Sequence, residues 1–358
     1  MKLPFKFNFN PFEKKYQYIG LHINAHAIKA LQFERKRGRT SLRGYVNAAL
    51  PKGLMTNDAF TDKHKLADFI KLTLASPQQG SFNTNRVVVC VPESKSFIRV
   101  MEMPLVDEAK AENAIMFEAE AYIPMPMDQV YFDWQIISKS AKTMSVLVIA
   151  SPKEYVDTIT QLIEDAGLKL CAVEVEAQSV TRALVPQAVD EPVLLVDMDA
   201  FKTAMIIVEN NVLQFTSSVP VAGDVFTEKL AQTLAIKPEE AEKLKREVGL
   251  ANTVKYPELK SALMPGVTDM AAEIKNVLKF HYDHSESHVN QILLTGGGAK
   301  LQHIGEVLPA LLEQYAPLTV TVANPLEHLP NLEHSPLTPY EALSFTTAIG
   351  LAMWGIQE

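Results

Sequence analysis

The feature that most constrains the fold is a strand–turn–strand pattern that occurs twice. Val193–Glu209 reads VLLVDMDAFKTAMIIVE, in which two apolar, β-branched runs flank a short polar segment. This order predicts a β-hairpin, with Asp199 as the residue most able to take the left-handed turn conformation. Tyr18–Glu34 (YIGLHINAHAIKALQFE) has the same pattern and aligns Asn24 with Asp199. We therefore predict two related halves that each open on such a hairpin, although two unrelated hairpins with chance similarity would give the same reading.

Composition excludes several classes of protein. The 358 residues are 47% hydrophobic and 21% charged, which is typical of a globular protein with sizeable cores. The net charge of −8 lacks the basic excess of a nucleic-acid binder. No apolar run approaches the roughly 20 residues of a membrane span, and no secretory signal is evident. We expect a cytoplasmic protein that has no transmembrane span and binds no nucleic acid.

The two cysteines and the N-terminal segment can be interpreted without a specific function. Cys90 and Cys171 lie in apolar runs and are predicted to be small core residues rather than a disulfide or zinc ligands. Residues 1–15 alternate lysines with phenylalanines. This arm is either a poorly ordered tail or a basic, aromatic segment that touches an anionic membrane surface or a neighbouring protein.

The first half is predicted to contain a small insertion. After the hairpin, the pattern predicts strand Ser41–Ala49, helix Thr61–Ala75, strands Arg86–Val91 and Phe97–Met103, helix Asp107–Tyr122, and strands Tyr131–Ser138 and Met144–Ile149. Residues 97–142 therefore form an α+β insertion, and Met144–Ile149 returns to the parent lobe. Helix Lys153–Ala166, strand Lys169–Val175 and helix Glu176–Leu184 complete this half.

The second half repeats the scheme and carries a triple glycine. Its predicted elements are strand Val212–Val219, helices Asp224–Leu234, Lys237–Glu247 and Met270–His281, strand Gln291–Thr295, helix Leu301–Tyr315, strand Val320–Val322 and a closing helix Tyr340–Ile356. Gly296, Gly297 and Gly298 follow the strand Gln291–Thr295 and would let a flat ligand approach the backbone. Tight polar turns can also direct N–H groups at an anion. The glycines alone are a weak signal, but together with two matching hairpins they indicate a ligand site.

Other chemical motifs are weaker. His281, His284 and His288 have the spacing of one helix face and could hold a metal ion, but their polar surroundings are typical of a solvated helix end. Glu118 and Glu120 would point to different sides of a helix, which does not suit an acid–base pair. The chain has no P-loop, dinucleotide-binding glycine motif or nucleophile elbow.

Several stretches resemble the type IV pilus assembly PilM family, which is related to the cell-division actin homologue FtsA. They are the two hairpins, VVVCVPESKSFIRVMEMPL, FEAEAYIPMPMDQVYFDWQII, EEAEKLK, LLTGGGAKL and ALSFTTAIGLA. The resemblance begins near residue 16, and the stretch from IPMP to FDWQ is its most specific part. It implies an α/β, actin-like (ribonuclease H-like) two-lobed fold, with ATP or ADP and Mg in the cleft between the lobes.

The resemblance also implies a division into subdomains. Subdomain 1A would comprise residues 16–96 and 143–190, 1C residues 97–142, 2A residues 191–223 and 288–358, and 2B residues 224–287. The implied function is a cytoplasmic scaffold of the inner-membrane platform in type IV pilus assembly and twitching motility. It would be peripheral at the inner face of the inner membrane and would bind the N-terminal cytoplasmic tail of PilN. Other platform and motor proteins, and self-association, are further implied contacts.

The resemblance implies that the PilN tail lies extended in a groove at the junction of the insertion with the parent lobe. The strand Phe97–Met103 and the helix Asp107–Tyr122 would bound this groove. Side chains available to line it are Met101, Met103, Ile115 and Phe117. The alternative is that these residues are the core of the insertion.

By position, the resemblance implies a set of nucleotide-binding residues: Asn24, Ala25, His26, Lys29, Asp197, Thr203, Gly223, Glu242, Lys245, Gly296, Gly297 and Gly298. Asp197 would hold Mg through water. The family pattern at the first turn is Asp-Ile-Gly-Ser-Ser, whereas this chain has His22, Asn24 and Ala25 in place of the acid, the glycine and a serine. Asp199 stands where the second turn usually has glycine. A carboxylate ~4 Å from a phosphate would repel it by up to ~4 kcal/mol at an effective dielectric of about 20. We therefore expect nucleotide binding with little or no hydrolysis.

Two other functions compete with the scaffold. One is a catalytically active ATPase or kinase of the actin-like fold, for which Glu176, Asp197 and Asp199 are formal candidates for the base. The other is the cytoplasmic part of a type II secretion protein. We expect that protein to continue into a membrane span, whereas this sequence ends at Glu358 without one.

Overall fold

The computed structural model describes residues 17–356 except 57, 187–190, 252–254, 256, 286 and 316, so the predicted arm at residues 1–15 lies outside the described residues. Its strands are β1 (Ile19–Ile23), β2 (Ala27–Lys36), β3 (Arg39–Ala49), β4 (Met55–Thr56), β5 (Ala59–Phe60), β6 (Gln79–Gly80), β7 (Arg86–Val91), β8 (Phe97–Pro104), β9 (Val130–Lys139), β10 (Thr143–Pro152), β11 (Lys169–Val175), β12 (Val193–Met198), β13 (Thr203–Glu209), β14 (Val212–Val219), β15 (Gln291–Thr295), β16 (Thr319–Val322) and β17 (Leu332–His334). Its α-helices are α1 (Lys63–Ala75), α2 (Glu108–Glu120), α3 (Lys153–Asp165), α4 (Glu176–Leu184), α5 (Gly223–Leu234), α6 (Pro238–Glu247), α7 (Pro257–His284), α8 (Ile304–Leu311), α9 (Pro339–Ala342) and α10 (Thr346–Met353).

Both halves contain a sheet of the same order and strand direction, which confirms the predicted repeat. The order is β3-β2-β1-β7-β11 in the first half and β14-β13-β12-β15-β16 in the second. In each sheet the two hairpin strands are antiparallel, and the first hairpin strand pairs in parallel with the strand on its other side. β17 and the short β6 extend the first sheet beyond β3. β7 and β12 are apolar and buried on both faces, as expected for central strands covered by packing on both sides.

The insertion is a three-stranded sheet, β8-β10-β9, with α2 packed on one face. β10 is hydrogen-bonded to β8 and β9, so the predicted place of Met144–Ile149 in the parent lobe is wrong. The boundary at residue 142 would cut this sheet, whereas a boundary after Pro152 keeps it whole. The error has a physical cause. Val146 and Val148 face the core of the insertion, while Leu147 and Ile149 face the core between the lobes, so β10 is apolar on both faces.

The two large sheets share one hydrophobic core. Helices α4 and α10 also contribute side chains to this core, from the side of the first half. It joins Leu31 and Phe33 of β2 to Leu195 of β12 and Ile206 of β13. The two helices cross at Gly350 of α10, where a Cβ atom would overlap the backbone oxygen of Ser179. This close packing holds α10 against α4 and the first sheet.

The helices of the second half cover its sheet, and they differ from the prediction at their ends. α5, α7 and α8 share one core with β12, β13 and β15, and this core also includes Ala241 and Leu244 of α6. α7 begins 13 residues before the predicted Met270 and contains Pro265. α8 is shorter than predicted, and the predicted closing helix consists of α9, a 3₁₀ turn and α10.

Cys90 is buried and Cys171 is half-buried, and neither forms a disulfide. Across the described part of the chain, no helix has both the length and the apolar character needed to cross a membrane.

Candidate functional site

A cleft of about 880 Å³ opens between the two halves, lined by residues from both. The first half contributes β2 and β3, and the second contributes the β12–β13 turn, α5, α6 and the triple glycine. The predicted site residues that line it are His26, Lys29, Gly223, Glu242, Lys245, Gly297 and Gly298. The cleft lining does not include Asn24, Ala25, Asp197, Thr203 or Gly296. The sequence therefore located the cleft, but several residues assigned to it lie behind its wall.

The three glycines have different surroundings. A Cβ atom at Gly297 would meet nothing within 4 Å, so this position faces open space. Gly296 has a φ of +79°, and a Cβ atom there would overlap Oδ1 of Asp197. At Gly298 a Cβ atom would lie 2.7 Å from Cβ of Met198. Gly296 and Gly298 therefore allow the turn to approach β12 closely, whereas Gly297 leaves the cleft open.

The first hairpin turn binds its own backbone donors. The Oδ1 atom of Asn24 accepts hydrogen bonds from the N–H groups of His26 at 3.0 Å and Ala27 at 2.9 Å. These two N–H groups are therefore already bonded within the turn. Neither Asn24 nor Asp199 belongs to the described residues with a positive φ, so Asp199 does not take the left-handed conformation for which the sequence favoured it. The side-chain bonds of Asn24 form the turn instead.

The second turn is bonded to the start of α5. The carbonyl oxygen of Asp199 accepts from the N–H of Gly223 at 3.1 Å, and that of Ala200 accepts from the N–H of Asp224 at 2.8 Å. A helix N-terminus with free N–H groups attracts anions. Here two of these groups are already bonded to the turn.

The two turns are also bonded to each other across the cleft. Nδ2 of Asn24 donates to Oδ2 of Asp199 at 3.0 Å, and Nζ of Lys29 lies 3.7 Å from Oδ1 of the same carboxylate. Nε2 of His26 lies 3.1 Å from Oδ2 of Asp224, and this hydrogen bond raises the pKa of His26. Residues at equivalent places in the repeat thus contact directly.

A buried polar group lies behind these turns, and we call it the Lys202 cluster: Lys202, Asp58, Glu93, Glu176 and His22. Nζ of Lys202 lies 3.5 Å from Oδ2 of Asp58 and 3.4 Å from Oε2 of Glu176. Oε1 of Glu176 lies 3.2 Å from Nε2 of His22. Lys202 belongs to the second half and the other members to the first, so this cluster joins the halves.

The charges of the cluster stabilise one another. Burial disfavours the charged form of Glu176, but Lys202 and the hydrogen bond to His22 outweigh it and keep its pKa below the ordinary value. Burial likewise opposes the charge of Lys202, and Glu176 and Asp58 outweigh it and raise its pKa. Burial raises the pKa of Glu93 to about 7. The cluster therefore holds a paired lysine and glutamate beside a glutamic acid that is protonated below neutral pH.

The base candidates for a kinase are engaged or neutralised. Glu176 is paired with Lys202 and His22, and Asp199 with Asn24 and Lys29. Burial and the charges of Asp199 and Glu176 raise the pKa of Asp197 well above its ordinary value. A carboxyl that retains its proton is a weak base and a poor ligand for a hydrated magnesium ion.

On the opposite wall, Glu242 and Lys245 form a pair. Nζ of Lys245 lies 2.6 Å from Oε2 of Glu242 and donates to the carbonyl oxygen of Gly223 at 2.7 Å. Burial opposes the charge of Glu242, but the bonds from Lys245 and Thr227 lower its pKa. The two residues predicted to flank a nucleoside are therefore held together at the edge of the cleft.

Sequence reasoning missed Lys300 and Tyr340, which also line the cleft. Nζ of Lys300 lies 5.2 Å from the centre of the Tyr340 ring. Burial, and then the charge of Lys29, lower the pKa of Lys300. A bound anion would relieve this repulsion. The available signal was the position of Lys300, two residues after the triple glycine.

The cleft has the volume for a molecule of nucleotide size, and its lining carries four cations, Lys29, Lys245, Arg246 and Lys300, beside four carboxylates, Asp199, Asp224, Glu239 and Glu242. Lys29, Lys245 and Arg246 are paired with carboxylates of this lining. Magnesium does not fit. The ammonium of Lys202 lies against the carboxylates of Asp58 and Glu176, and burial raises the pKa of Asp197, which disfavours the charged form that would hold the ion. Asp197 as a magnesium ligand is therefore not supported by its surroundings.

No metal site is evident at the predicted histidines. α7 ends at His284, so His288 does not share its helix face, and His281 contacts Ser287. Among the described residues, the one set of three ligand atoms close enough for a metal ion is His22, Cys90 and Glu176, within 4.8 Å of one another. There Glu176 is already bonded to His22, and burial raises the pKa of Cys90, which keeps the thiol protonated.

Comparison with known proteins agrees with this architecture. A family model described as type IV pilus assembly protein PilM matches residues 20–356. A chain of the PilM-PilN type IV pilus biogenesis complex is 22% identical, with a TM-score of 0.80 over 96% of this chain and 100% of that chain. Ethanolamine utilization protein EutJ from Carboxydothermus hydrogenoformans is 13% identical, with a TM-score of 0.58 over 95% of this chain and 90% of that one. MreB 5 of Spiroplasma citri bound to AMPPNP is 12% identical, with a TM-score of 0.56 over 94% of this chain and 95% of that one.

The structural similarities extend over nearly the whole chain and show the predicted actin-like α/β fold. The family model extends from β1 to the residues that follow α10, and so includes both halves and the insertion. The chain therefore belongs to the type IV pilus assembly protein PilM family.

Proposed function

We propose that this chain binds the N-terminal cytoplasmic tail of PilN and acts as a scaffold of the type IV pilus platform at the inner face of the inner membrane. Membership of the PilM family and the likeness to a chain from a PilM-PilN complex support this function. The observation that carries it is an uncovered strand edge in the insertion, which suits an extended peptide.

Most of the side chains expected to line the groove are buried. Met101, Met103 and Ile115 are buried in the core between α2 and the three-stranded sheet. Phe117 is 76% exposed on the outer side of α2. Three of the four expected lining residues thus stabilise the insertion and are not accessible to a partner.

The edge of β9 is a better candidate. The other edge of this sheet, β8, lies against β14 of the second half. β9 pairs with β10, and in the described part of the chain no further strand pairs with it. Phe132, Trp134 and Ile136 are half-buried on the insertion side, and Tyr131 and Ile137 pack towards the lobes. An extended peptide gains affinity from pairing with such an edge and specificity from the side chains beside it.

The backbone of β9 indicates which groups face a partner. The N–H of Trp134 donates to Oδ1 of Asp133 at 2.9 Å, so it points away from β10. Because alternate residues of an antiparallel strand face the same side, the N–H groups of Phe132 and Ile136 face this edge as well. The start of β9 is fixed to the first lobe, because the Tyr131 hydroxyl donates to Oδ1 of Asp157 in α3 at 2.8 Å. The proposed peptide site therefore lies at the junction of the insertion and the lobe.

Fluorescence anisotropy with a labelled peptide of the PilN N-terminal tail tests this proposal. We expect micromolar affinity, since ordering a flexible segment costs conformational entropy. Ile136→Pro removes an edge-facing N–H and is tolerated at an edge position, so it should weaken binding about 10-fold without unfolding the chain. Phe117→Ser is the control, because it changes an exposed residue of the same insertion. Equal affinity of the parent and a folded Ile136→Pro variant would place the partner elsewhere.

We also propose that the cleft between the halves binds ATP or ADP without hydrolysing it. The size of the cleft and the basic side chains in its lining, Lys300 among them, support binding, and the engaged carboxylates of Glu176 and Asp199 argue against turnover. Phosphate release from ATP should not exceed that of a heat-inactivated control. Release above this control that Asp197→Ala abolishes would favour an active ATPase.

A further inference from the structure

The side chain of Lys202 reaches from the second hairpin turn into the first half of the molecule. It is 12% exposed, and its ammonium lies between the carboxylates of Asp58 and Glu176. Asp58 in turn accepts a hydrogen bond from the hydroxyl of Ser94 at 2.6 Å. A single lysine from one lobe is thus held by two buried acids of the other.

The surroundings contain more acid than this lysine neutralises. Asp58, Glu93, Glu176 and Asp197 are all buried, and Oε2 of Glu93 has no hydrogen-bond partner within the described structure. The backbone N–H of Glu93 donates to Oε2 of Glu176 at 3.4 Å, which places Glu93 beside the ion pair. Asp58 and Glu176 are the two acids that contact the ammonium, and carboxylate oxygens are the ligands that hard divalent cations prefer.

We propose that Lys202 is a tethered counter-ion that takes the place of a divalent cation, so that the halves close and the cleft binds its nucleotide as the metal-free anion. The claim that the nucleotide binds without metal depends on the function proposed above. The claim that Lys202 holds the halves closed depends on the ion pairs of Lys202 alone.

The chemistry of the two cations explains why one excludes the other. Magnesium binds oxygen ligands at about 2.0–2.1 Å in near-octahedral geometry and retains several of its waters. An ammonium already lies beside Asp58 and Glu176, and it would repel a second cation strongly in a buried site. A lysine is also covalently part of the second half, so its attraction to the first half acts on lobe closure even in the absence of a ligand.

The direct test is the dependence of thermal stability on magnesium. The melting temperature of the parent should be the same in excess EDTA and in millimolar MgCl₂. Lys202→Gln removes the ammonium and leaves Asp58 and Glu176 without a counter-ion, so this variant should be less stable in EDTA. Magnesium or manganese should then raise its melting temperature by about 3 °C or more. A parent that magnesium stabilises by this amount, or a folded Lys202→Gln variant that no divalent ion stabilises, would overturn the proposal.

Lys245→Gln is the matched control. Lys245 is also largely buried, but it faces the single carboxylate of Glu242 rather than two. This variant should gain no response to magnesium. A response equal to that of Lys202→Gln would show a non-specific effect of lost positive charge and would also contradict the proposal.

Titration calorimetry with ADP separates this inference from the proposed function. We expect the dissociation constant of the parent to differ by less than about 2-fold between EDTA and MgCl₂. Affinity that increases 10-fold or more with magnesium would overturn the metal-free binding while leaving nucleotide binding intact. If ADP binds under neither condition, the nucleotide proposal and the metal-free binding that depends on it both fail, and the melting experiment still decides the role of Lys202 in closure.

Discussion

Gly297 is the residue at which the cleft can be altered with the least effect on the fold. A Cβ atom there meets nothing within 4 Å, so Gly297→Val should fold with a free energy of unfolding within about 1 kcal/mol of the parent. Its branched side chain would fill the open space, and we expect ADP affinity to fall at least about 10-fold. Titration calorimetry measures this change. Unchanged affinity would remove the triple glycine from the ligand site.

Gly298→Ala is the control that should affect the fold rather than the space for a ligand. The added methyl group would lie 2.7 Å from Cβ of Met198, so it should destabilise the turn against β12. The two neighbouring glycines thus separate an effect on the ligand from an effect on the fold. Urea unfolding of both variants shows whether this separation holds.

At the scale of elements, the crossing of α4 and α10 gives the sharpest test. Glycine to alanine inside a helix usually stabilises a protein by about 1 kcal/mol. In Gly350→Ala, however, the new methyl group would overlap the backbone oxygen of Ser179. We therefore expect this variant to lose about 3 kcal/mol of unfolding free energy. A stabilised variant would show that the two helices do not pack this closely.

Gly305 in α8 is the matched control. A Cβ atom there would meet only Val322, at 3.7 Å, which is an ordinary contact. Gly305→Ala should therefore be neutral or gain up to about 1 kcal/mol. Opposite signs at Gly350 and Gly305 in one urea-unfolding experiment would confirm that packing, not helix propensity, decides the result.

The strands could be predicted from the sequence because runs of buried, β-branched residues with polar turns between them are a local signal. β7, β11 and β15 were predicted with their observed bounds. The full length of α7, which has breakers in its interior, could not be predicted. Pro265 and Gly266 look like the end of a helix, yet α7 continues through them. A Cβ atom at Gly266 would overlap the ring of Phe226, so this glycine is explained by packing against α5 and not by a turn.

Across the whole molecule, the stability should depend on pH through Glu93. Its pKa is raised to about 7, mainly by burial and further by the charge of Glu176. The unfolded chain releases this proton near pH 4.5, so between these values the folded state binds more protons and stability falls as pH rises. Above the raised pKa the loss is complete. Glu93→Gln stays neutral, so it should match the parent at about pH 5 and exceed it by about 2 kcal/mol at about pH 8.

Urea unfolding at both pH values measures this difference. Glu154→Gln at the exposed start of α3 removes the same charge from the surface and should not change the pH dependence. If Glu93→Gln and the parent have parallel pH profiles, Glu93 is not protonated in the folded state near neutral pH.

The sequence predicted only those parts of the site that short, continuous segments of the chain form. The two hairpins and the triple glycine mark the walls of the cleft in the sequence. The contacts that occupy those walls, such as Lys202 with Asp58 and Asn24 with Asp199, join residues far apart in the chain. Nothing in the residues beside Lys202 indicates which carboxylates of the other half it will meet. Those pairings depend on how the two lobes pack.

The bond between Asn24 and Asp199 has one more consequence. These residues occupy the same place in the two repeats, and they meet each other at 3.0 Å. Contact between equivalent positions occurs where a twofold rotation axis would pass in a symmetric dimer. A pseudo-twofold axis that relates the two halves would therefore pass through this bond, whose donor–acceptor pair is asymmetric, an amide facing a carboxylate. Two identical carboxylates would repel each other there. Because the two copies differ at this position, a hydrogen bond joins the two halves instead.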